Sequence, residues 1–325
     1  MKIWSGKYRN TFANIFLGLF FLLSFLVLVE TTCQIYVYRI AKQGKLYTPD
    51  SVLGWKALPN LGLERKNPNG EFWVIKINKD GFRSPSSWDA NAEKRVLILG
   101  DSFAFGEGVN LEDRFDSIIM GLRPTWSFIN LGMSGYGTDQ EIIAGRKYFD
   151  LLKTGDVVVL LTHMNDFHDI LRHASFGRAK PRFELNGKDF IERPPPLGFT
   201  EILRDKSYLF SFITSRFERR RPISADEIFQ SAGLYYALVQ SMRKELRRDV
   251  RLIAAFHGMN FLTELNAASI SKMYERLCVN QNIDCISLDE DLTGSNGNFF
   301  PDSHWTKEGH GIVAHKILEH IETKA

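Results

Sequence analysis

Five short and almost continuously apolar runs recur along the chain beyond residue 95, and segments with a helical period separate them. The runs lie at residues 96–100, 127–132, 157–163, 251–257 and 283–289. Strands that are apolar on both sides need cover on both faces, and their alternation with helices is typical of a parallel sheet. The sequence therefore predicts an α/β fold in which a doubly wound parallel sheet forms the middle of three layers, α/β/α.

Five helices are predicted alongside these strands. They lie at residues 111–122, 138–153, 225–248, 269–280 and 307–322. In sheets of this kind the ligand binds outside the carboxyl ends of the strands. Residues that directly follow the apolar runs are therefore the first candidates for chemistry.

Polar and small residues with chemical uses stand at these positions. Ser102 follows the first run, Gly132 ends the second, and Asn165 follows the third. Asp302 and His304 directly precede the last predicted helix. Because the carboxyl ends of parallel strands meet at one edge of a sheet, we expect these five residues to lie near one another.

Ser102, His304 and Asp302 have the side chains that nucleophilic acyl transfer requires. A serine hydroxyl is a good nucleophile only when an imidazole takes its proton, and a carboxylate fixes the tautomer of that imidazole. The oxygen that becomes negative during acyl transfer needs hydrogen-bond donors. The predicted donors are the backbone N–H groups of Ser102 and Gly132 and the side-chain amide of Asn165.

The order of these motifs resembles that of the SGNH, or GDSL, hydrolase family, which is named for its Ser, Gly, Asn and His. The matching motifs are Gly100-Asp101-Ser102, Gly132, Asn165-Asp166 and Asp302 with His304. The resemblance spans about residues 95–325 and implies a flavodoxin-like sheet. The segments NLGMSGYGTDQE and FRSP are also similar to those of a bacterial subgroup of this family. Members of that subgroup have one N-terminal membrane helix and are implicated in modifying envelope or secreted polysaccharides.

The resemblance implies a role for each matching residue. Ser102 is the nucleophile, His304 is the general base and acid, and Asp302 orients His304. Gly132 and Asn165 supply the oxyanion donors.

Some positions depart from the family pattern or allow another interpretation. His163 stands where the family has a glycine, two residues before its Asn, and this narrows the predicted cleft. Asp302 and His304 are two positions apart, whereas many members place them three apart. Asn165 has an alternative role as a helix cap. His310 is a competing base, although it falls inside the last predicted helix.

A charge-free stretch of nineteen residues, 11–29, has the length of a helix that crosses a hydrocarbon layer. An uncleaved anchor is favoured over a cleaved signal peptide, because no small-residue cleavage motif follows and Glu30 disrupts a lipobox before Cys33. Three basic residues on either side give little indication of orientation. Short positive N-termini usually stay inside, so we expect the catalytic domain on the extracytoplasmic side.

The predicted organisation has four parts. They are a short tail (1–10), a transmembrane anchor (11–30), a linker with a small strand-bearing lead-in (31–94) and the hydrolase-like domain (95–325). An insertion at about 167–224 interrupts the alternating pattern, and connections of this length usually form a binding loop or lid. Its three arginines at 219–221 are interpreted as a solvated face rather than a site for an anionic substrate or lipid headgroup.

Composition narrows the remaining classes. The formal net charge of +3 and the scattered basic residues exclude the concentrated basic face of a nucleic-acid-binding protein. Cys278 and Cys285 form either a disulfide in an oxidising compartment or two buried thiols, and the sequence leaves both open. No cysteine and histidine cluster has metal-ligand spacing, so no metal or cofactor is expected.

Together these features predict a membrane-anchored serine esterase or O-acyltransferase that works through an acyl-Ser102 intermediate. The expected substrate is an O-acyl group, foremost O-acetyl, of a carbohydrate or envelope polysaccharide. The expected partners are this substrate and the membrane. Two alternatives stay open: a non-catalytic carbohydrate-binding or polysaccharide-assembly component, and a lipid or thioester hydrolase.

Overall fold

An apolar helix, α1 (Gly6–Ile35), begins the part of the chain that the computed structural model describes. That part comprises residues 6–36, 45–172, 174–175, 178–186, 189–217, 225–258, 272–278, 283–294 and 296–323. The segment Thr11–Ile35 is long and apolar enough to cross a membrane, and the most apolar part of it has no buried residue. A membrane span and a signal sequence both fit this helix.

Two antiparallel hairpins follow α1. They pair β1 (Tyr47–Asp50) with β2 (Gly54–Ala57), and β3 (Gly62–Lys66) with β4 (Phe72–Lys76). Trp55, Trp73 and Ile75 of these hairpins are buried in the same apolar cluster as Leu97 and Tyr136 of the main domain. The lead-in therefore shares one hydrophobic core with the central sheet.

Nine further strands follow the lead-in among the described residues. They are β5 (Lys94–Leu99), β6 (Trp126–Asn130), β7 (Val157–His163), β8 (Ala174–Ser175), β9 (Arg178–Ala179), β10 (Arg182–Asn186), β11 (Asp189–Arg193), β12 (Arg251–His257) and β13 (Asp284–Ser287). Five of them form a parallel sheet in the order β6-β5-β7-β12-β13. Numbered along the chain this is the order 2-1-3-4-5, which confirms the flavodoxin-like prediction.

Helices cover both faces of this sheet. In the described part of the chain the helices after α1 are α2 (Ser102–Phe105), α3 (Phe115–Leu122), α4 (Thr138–Phe149), α5 (Asp166–Asp169), α6 (Phe199–Lys206), α7 (Tyr208–Phe217), α8 (Ala225–Glu245), α9 (272–278), α10 (Asp289–Leu292) and α11 (Lys307–Thr323). Leu97 and Leu99 of β5 belong to the apolar cluster under α4, α8 and α9. Val96 and Ile98 belong to the cluster under α3 and α11. This alternation confirms the three-layer arrangement.

The predicted helices differ from the observed ones mainly at their ends. α3 begins at Phe115 rather than at Leu111, because Arg114 has an extended backbone (φ −78°, ψ 143°) and its guanidinium binds Asp116. The helix predicted at 269–280 is present over 272–278, and the rest of that prediction lies outside the described residues. Its last residue, Cys278, forms a disulfide with Cys285 of β13 (Cα–Cα 5.6 Å).

The insertion contains two small hairpins, β8–β9 and β10–β11, followed by α6 and α7. Lys180, between β9 and β10, is fully buried and donates from Nζ to Asp139 Oδ1 and to the backbone oxygen of Asp169, both at 2.7 Å. This ion pair attaches the insertion to α4. The three arginines at 219–221 lie outside the described residues.

Carboxyl groups are buried beside the ends of β5 and β7. Glu141 of α4 is fully buried, and neither of its carboxyl oxygens has a hydrogen-bond partner among the described residues. Asp101 and Asp166 each have one buried carboxyl oxygen with no hydrogen-bond partner among the described residues. Burial, and then repulsion by Asp101, raises the pKa of Glu141 well above its ordinary value. Burial and the neighbouring Glu141 raise the pKa of Asp166 in the same way.

Replacing Glu141 should therefore change how stability depends on pH. The folded chain keeps a proton on Glu141 that the unfolded chain releases above about pH 4.3, so stability falls as the pH rises towards the folded-state pKa. The Glu141→Gln substitution keeps the size and shape of the side chain but removes its ionisable group. The variant should gain stability over the native chain as the pH rises, by up to about 1.4 kcal/mol per pH unit.

Thermal or denaturant unfolding between about pH 5 and pH 8 measures this difference. Glu319→Gln, which changes an exposed carboxyl group on α11, is the matched control and should show no such gain. Parallel pH profiles for the native chain and Glu141→Gln would contradict the assignment of a protonated, buried Glu141.

Candidate active site

A tight turn after β5 places Ser102 at the carboxyl end of the strand. A Cβ at Gly100 would lie 2.7 Å from the Cβ of Ala104, so the chain turns there only with a glycine. Asp101 caps α2, because its Oδ1 accepts a hydrogen bond from the backbone N–H of Phe103 at 2.9 Å. Ser102 is consequently the first residue of α2 and is half-buried at the sheet edge.

His304 lies next to Ser102 although 202 positions separate them in the chain. The distance from His304 Nε2 to Ser102 Oγ is 2.8 Å. Asp302 Oδ2 lies 3.1 Å from His304 Nδ1, although the two atoms do not form a well-aligned hydrogen bond. The Asp302 side chain is 44% exposed and that of His304 is 23% exposed. The hydroxyl, the imidazole and the carboxylate thus lie side by side in the order that proton transfer requires.

A left-handed residue lets Asp302 reach His304 across a spacing of two. Ser303 has a φ of 73°, which turns the backbone back between the two side chains. The backbone N–H of His304 donates to Asp302 Oδ1 at 3.2 Å, and its carbonyl accepts from the N–H of Phe300 at 2.8 Å. The short spacing is therefore compatible with the predicted pairing.

Gly132 packs against the loop that carries Ser102. A Cβ at Gly132 would lie 2.4 Å from the backbone nitrogen of Phe105, so only glycine fits. The backbone N–H of Gly132 donates to Asn130 Oδ1 at 2.8 Å. The sequence predicts that this N–H binds the oxyanion, but in the structure it is already hydrogen-bonded. Gly135, at φ 83°, has an N–H that no described residue accepts, and sequence reasoning did not single it out. Gly135 is therefore a further candidate donor.

Asn165 lies at the N-cap position of α5, but its side chain makes no capping hydrogen bond. Its Nδ2 donates instead to Asp169 Oδ2 at 3.2 Å, and its Oδ1 contacts His163 Nδ1. The alternative role as a side-chain cap is thus not the one that the structure shows. An amide nitrogen carries two hydrogens, so Nδ2 can still donate to a bound oxygen.

Aromatic rings form a wall beside Ser102. The ring of Phe103 lies 4.6 Å from that of His163, 4.1 Å from that of His257 and 5.1 Å from that of Trp305, measured between centroids. Burial lowers the pKa of His163, and burial together with His163 lowers the pKa of His257 well below its ordinary value. The wall is therefore uncharged. Sequence analysis did not single out His257, which is the last residue of an apolar run.

Arg83 of the FRSP motif holds the loop after Ser102 from the other side. Its guanidinium donates to the backbone oxygens of Phe105 (3.1 Å), Gly106 (2.9 Å) and Val109 (2.8 Å), and the side chain is buried. Burial, and then the nearby Arg114, lowers the pKa of Arg83 to about 9. The motif thus links the lead-in to the loop after Ser102, a role that the sequence alone did not show.

His310, the competing base in the sequence, lies away from Ser102. His310 is buried in α11, where its ring stacks on Phe115 with centroids 6.0 Å apart, so it does not compete with His304. Within the described residues no group of three or more His, Cys, Asp or Glu side chains is arranged to hold a metal ion.

This chain is similar to several proteins of known structure. No family model and no curated protein matches the chain. A lipolytic protein of the G-D-S-L family from Veillonella parvula is 13% identical, with a TM-score of 0.45 over 71% of this chain and 100% of that one. A family two carbohydrate esterase from Clostridium thermocellum, solved with cellohexaose, is 12% identical, with a TM-score of 0.44 over 73% of this chain and 66% of that one.

A lipase from a goat rumen metagenome is 14% identical, with a TM-score of 0.42 over 70% of this chain and 96% of that one. The solved structures that this chain is similar to thus include GDSL-family lipolytic proteins and esterases.

Proposed function

We propose that this chain is a membrane-anchored serine esterase or O-acyltransferase that acts on O-acyl groups, foremost O-acetyl, of a carbohydrate or envelope polysaccharide. The observation that carries the proposal is the 2.8 Å contact between His304 Nε2 and Ser102 Oγ, with Asp302 beside the same imidazole. A protein that only binds carbohydrate has no need of this arrangement.

In the proposed reaction, His304 Nε2 takes the hydroxyl proton as Ser102 Oγ attacks the acyl carbon. His304 then gives this proton to the leaving alcohol oxygen, and the acyl group stays on Ser102. Water or a sugar hydroxyl, deprotonated by His304, attacks the acyl-serine. His304 returns this proton to Ser102 Oγ as the acyl–Oγ bond breaks, and the acyl group leaves on the water or sugar oxygen. Asp302 stabilises the charged imidazole in both halves of the reaction.

The negative oxygen of each tetrahedral intermediate needs donors that are already in place. Ser102 N–H, Gly135 N–H and the second hydrogen of Asn165 Nδ2 supply them in this proposal. Gly132 N–H is available only if its hydrogen bond to Asn130 opens. Gly132 contributes in any case by letting the second loop approach α2 closely.

The preference for a short acyl group is supported by the aromatic wall. His163 replaces the small residue of the related family and packs on Phe103, directly after Ser102. Gly258 leaves room for this ring, since a Cβ there would lie 2.6 Å from His163 Cδ2. Bulk at this place favours acetyl over long acyl chains.

Two features, α1 and the disulfide, support the proposed membrane anchoring and the extracytoplasmic location of the catalytic domain. α1 has the length and composition of a membrane anchor. A Cys278–Cys285 disulfide forms and persists in oxidising compartments, and this supports an extracytoplasmic catalytic domain.

Ser102→Ala should abolish turnover. In the full-length, detergent-solubilised protein, kcat/KM for p-nitrophenyl acetate should fall by at least about 10⁴-fold, because the nucleophile is lost. A fluorophosphonate probe should label the native chain, and peptide mapping should place the label on Ser102. Ser87→Ala, at an exposed serine, is the matched control and should keep both activity and labelling.

Activity that survives in Ser102→Ala would overturn the proposal. Oligosaccharide binding without any turnover in the native chain would favour the non-catalytic alternative. Adding an oligosaccharide acceptor to the assay separates the two enzyme classes: an acetylated oligosaccharide indicates transfer, whereas unchanged hydrolysis counts against it.

Substitutions of Ser303 should separate backbone shape from side-chain chemistry. Ser303→Gly should keep kcat/KM, since glycine adopts the left-handed conformation without cost. Ser303→Val should lower kcat/KM by about tenfold or more, because a β-branched residue disfavours this conformation and displaces Asp302 from His304. Equal activity of the two variants, at equal melting temperature, would contradict the geometry described for this loop.

His163→Gly should widen the acyl pocket. The ratio of kcat/KM for p-nitrophenyl octanoate to that for the acetate should rise by about tenfold. Absolute rates fall as well, because Asn165 loses a neighbour, so the ratio is the measurement. His315→Ala, at an exposed histidine of α11, is the control. A native preference for octanoate would instead favour the lipid or thioester hydrolase.

A further inference from the structure

Helix α6 of the insertion presents its apolar side to the outside. Phe199 is 73% exposed and Ile202 is 58% exposed. Three polar residues of the same helix, Glu201, Arg204 and Asp205, are half-buried against the protein. A surface helix of a soluble protein has the opposite arrangement, with its apolar stripe on the core.

An ion pair with the lead-in holds α6 in this orientation. Asp205 binds Lys45, which lies two residues before β1. Within α6, Arg204 Nη1 lies 3.1 Å from Glu201 Oε2. These side chains line a cavity of about 340 Å³ between α6, α7 and the lead-in. Phe199 and Ile202 therefore face away from the protein, whereas Leu203 is half-buried.

Helix α7 contacts α6 and also exposes apolar residues. Phe212 is 57% exposed and Ile213 is 45% exposed. We call the surface formed by Phe199, Ile202, Phe212 and Ile213 the hairpin apolar surface. Isolated exposed apolar residues need no explanation, but a group on two packed helices marks an interaction site.

The hairpin of α6 and α7 is attached to the proposed membrane anchor. The carboxylate of Glu30 accepts hydrogen bonds from Ser207 Oγ (2.7 Å) and from the backbone N–H groups of Tyr208 (2.9 Å) and Leu209 (3.0 Å). It thereby caps the N-terminus of α7, where a negative charge is favourable. On α1, partial burial occurs at Val29, Glu30 and Cys33, next to this contact.

The contact fixes the level of the hairpin relative to a bilayer. Residues 11–29 rise by about 28 Å as a helix, which matches the hydrocarbon thickness of about 30 Å. Glu30 then lies at the boundary between acyl chains and headgroups. The start of α7 is bound to Glu30 and must lie at the same level.

We propose that the hairpin apolar surface docks into the lipid interface beside α1, so that α6 and α7 lie in the boundary between headgroups and acyl chains. The inference rests on the proposed membrane anchoring of α1 and is independent of the esterase chemistry. Continuity with α1 and the inverted polarity of α6 identify the occupant as lipid. Docking holds the catalytic domain at one height and orientation above the membrane.

Spin labels on the full-length chain test this docking. Single cysteines are introduced as Phe199→Cys, Ile202→Cys or Phe212→Cys in a Cys33→Ser background, and the protein is placed in phosphatidylethanolamine and phosphatidylglycerol nanodiscs. Power saturation compares the accessibility of each label to oxygen, which concentrates in acyl chains, with that to a water-soluble nickel complex. Phe20→Cys on α1 and Leu185→Cys on β10, which is 46% exposed, are the reference sites.

Labels at 199, 202 and 212 should favour oxygen as the label at 20 does, whereas the label at 185 should favour nickel. Nickel-favouring labels on the hairpin with an oxygen-favouring label at 20 would overturn the inference and leave the anchor intact. A nickel-favouring label at 20 would overturn the anchoring itself. Spin–spin broadening between chains at the hairpin sites, without oxygen preference, would show that a second copy covers this surface and would also overturn the inference. Hydrolysis of p-nitrophenyl acetate by each labelled protein tests the esterase proposal separately.

Discussion

The need to cover both faces of a parallel sheet determines where the candidate site lies. Alternate side chains of β5 pack against the helices on opposite faces of the sheet. Each connection between neighbouring strands therefore passes through a helix that covers one face, and the strands are parallel. The carboxyl ends of the strands then meet at one edge. Ser102 and Asn165 follow two of these ends, and His304 arrives there from the loop before α11. Residues 202 positions apart thereby come within 2.8 Å.

The position of Ser102 is held by contacts that exist without substrate. Gly132 lies so close to Phe105 that any larger residue would displace α2. Arg83 binds backbone oxygens of the same loop from the opposite side, including that of Gly106. If Ser102 is the nucleophile, as proposed, its confinement means that little entropy is lost when the substrate binds, and positioning contributes to the rate in this way.

Much of the fold and the reactive part of the site could be predicted because both follow from periodicity. Apolar runs marked the five strands, Ser102 and Asn165 follow two of these runs, and His304 precedes the last predicted helix. The remaining features depend on backbone dihedral angles and on which neighbours meet, and no periodic pattern records these. The left-handed Ser303, the bond between Gly132 N–H and Asn130, and the ring of His257 against Phe103 belong to this group.

The insertion is connected to the candidate site and to α1 at the same time, which argues against a lid that swings freely. Lys180 binds Asp139 of α4 and the backbone oxygen of Asp169, and the carboxylate of Asp169 holds the amide of Asn165. At its other end the insertion binds Glu30 through α7. Opening it as a rigid flap would break the buried ion pair between Lys180 and Asp139. The insertion is therefore expected to stay attached at both of these places when a substrate binds.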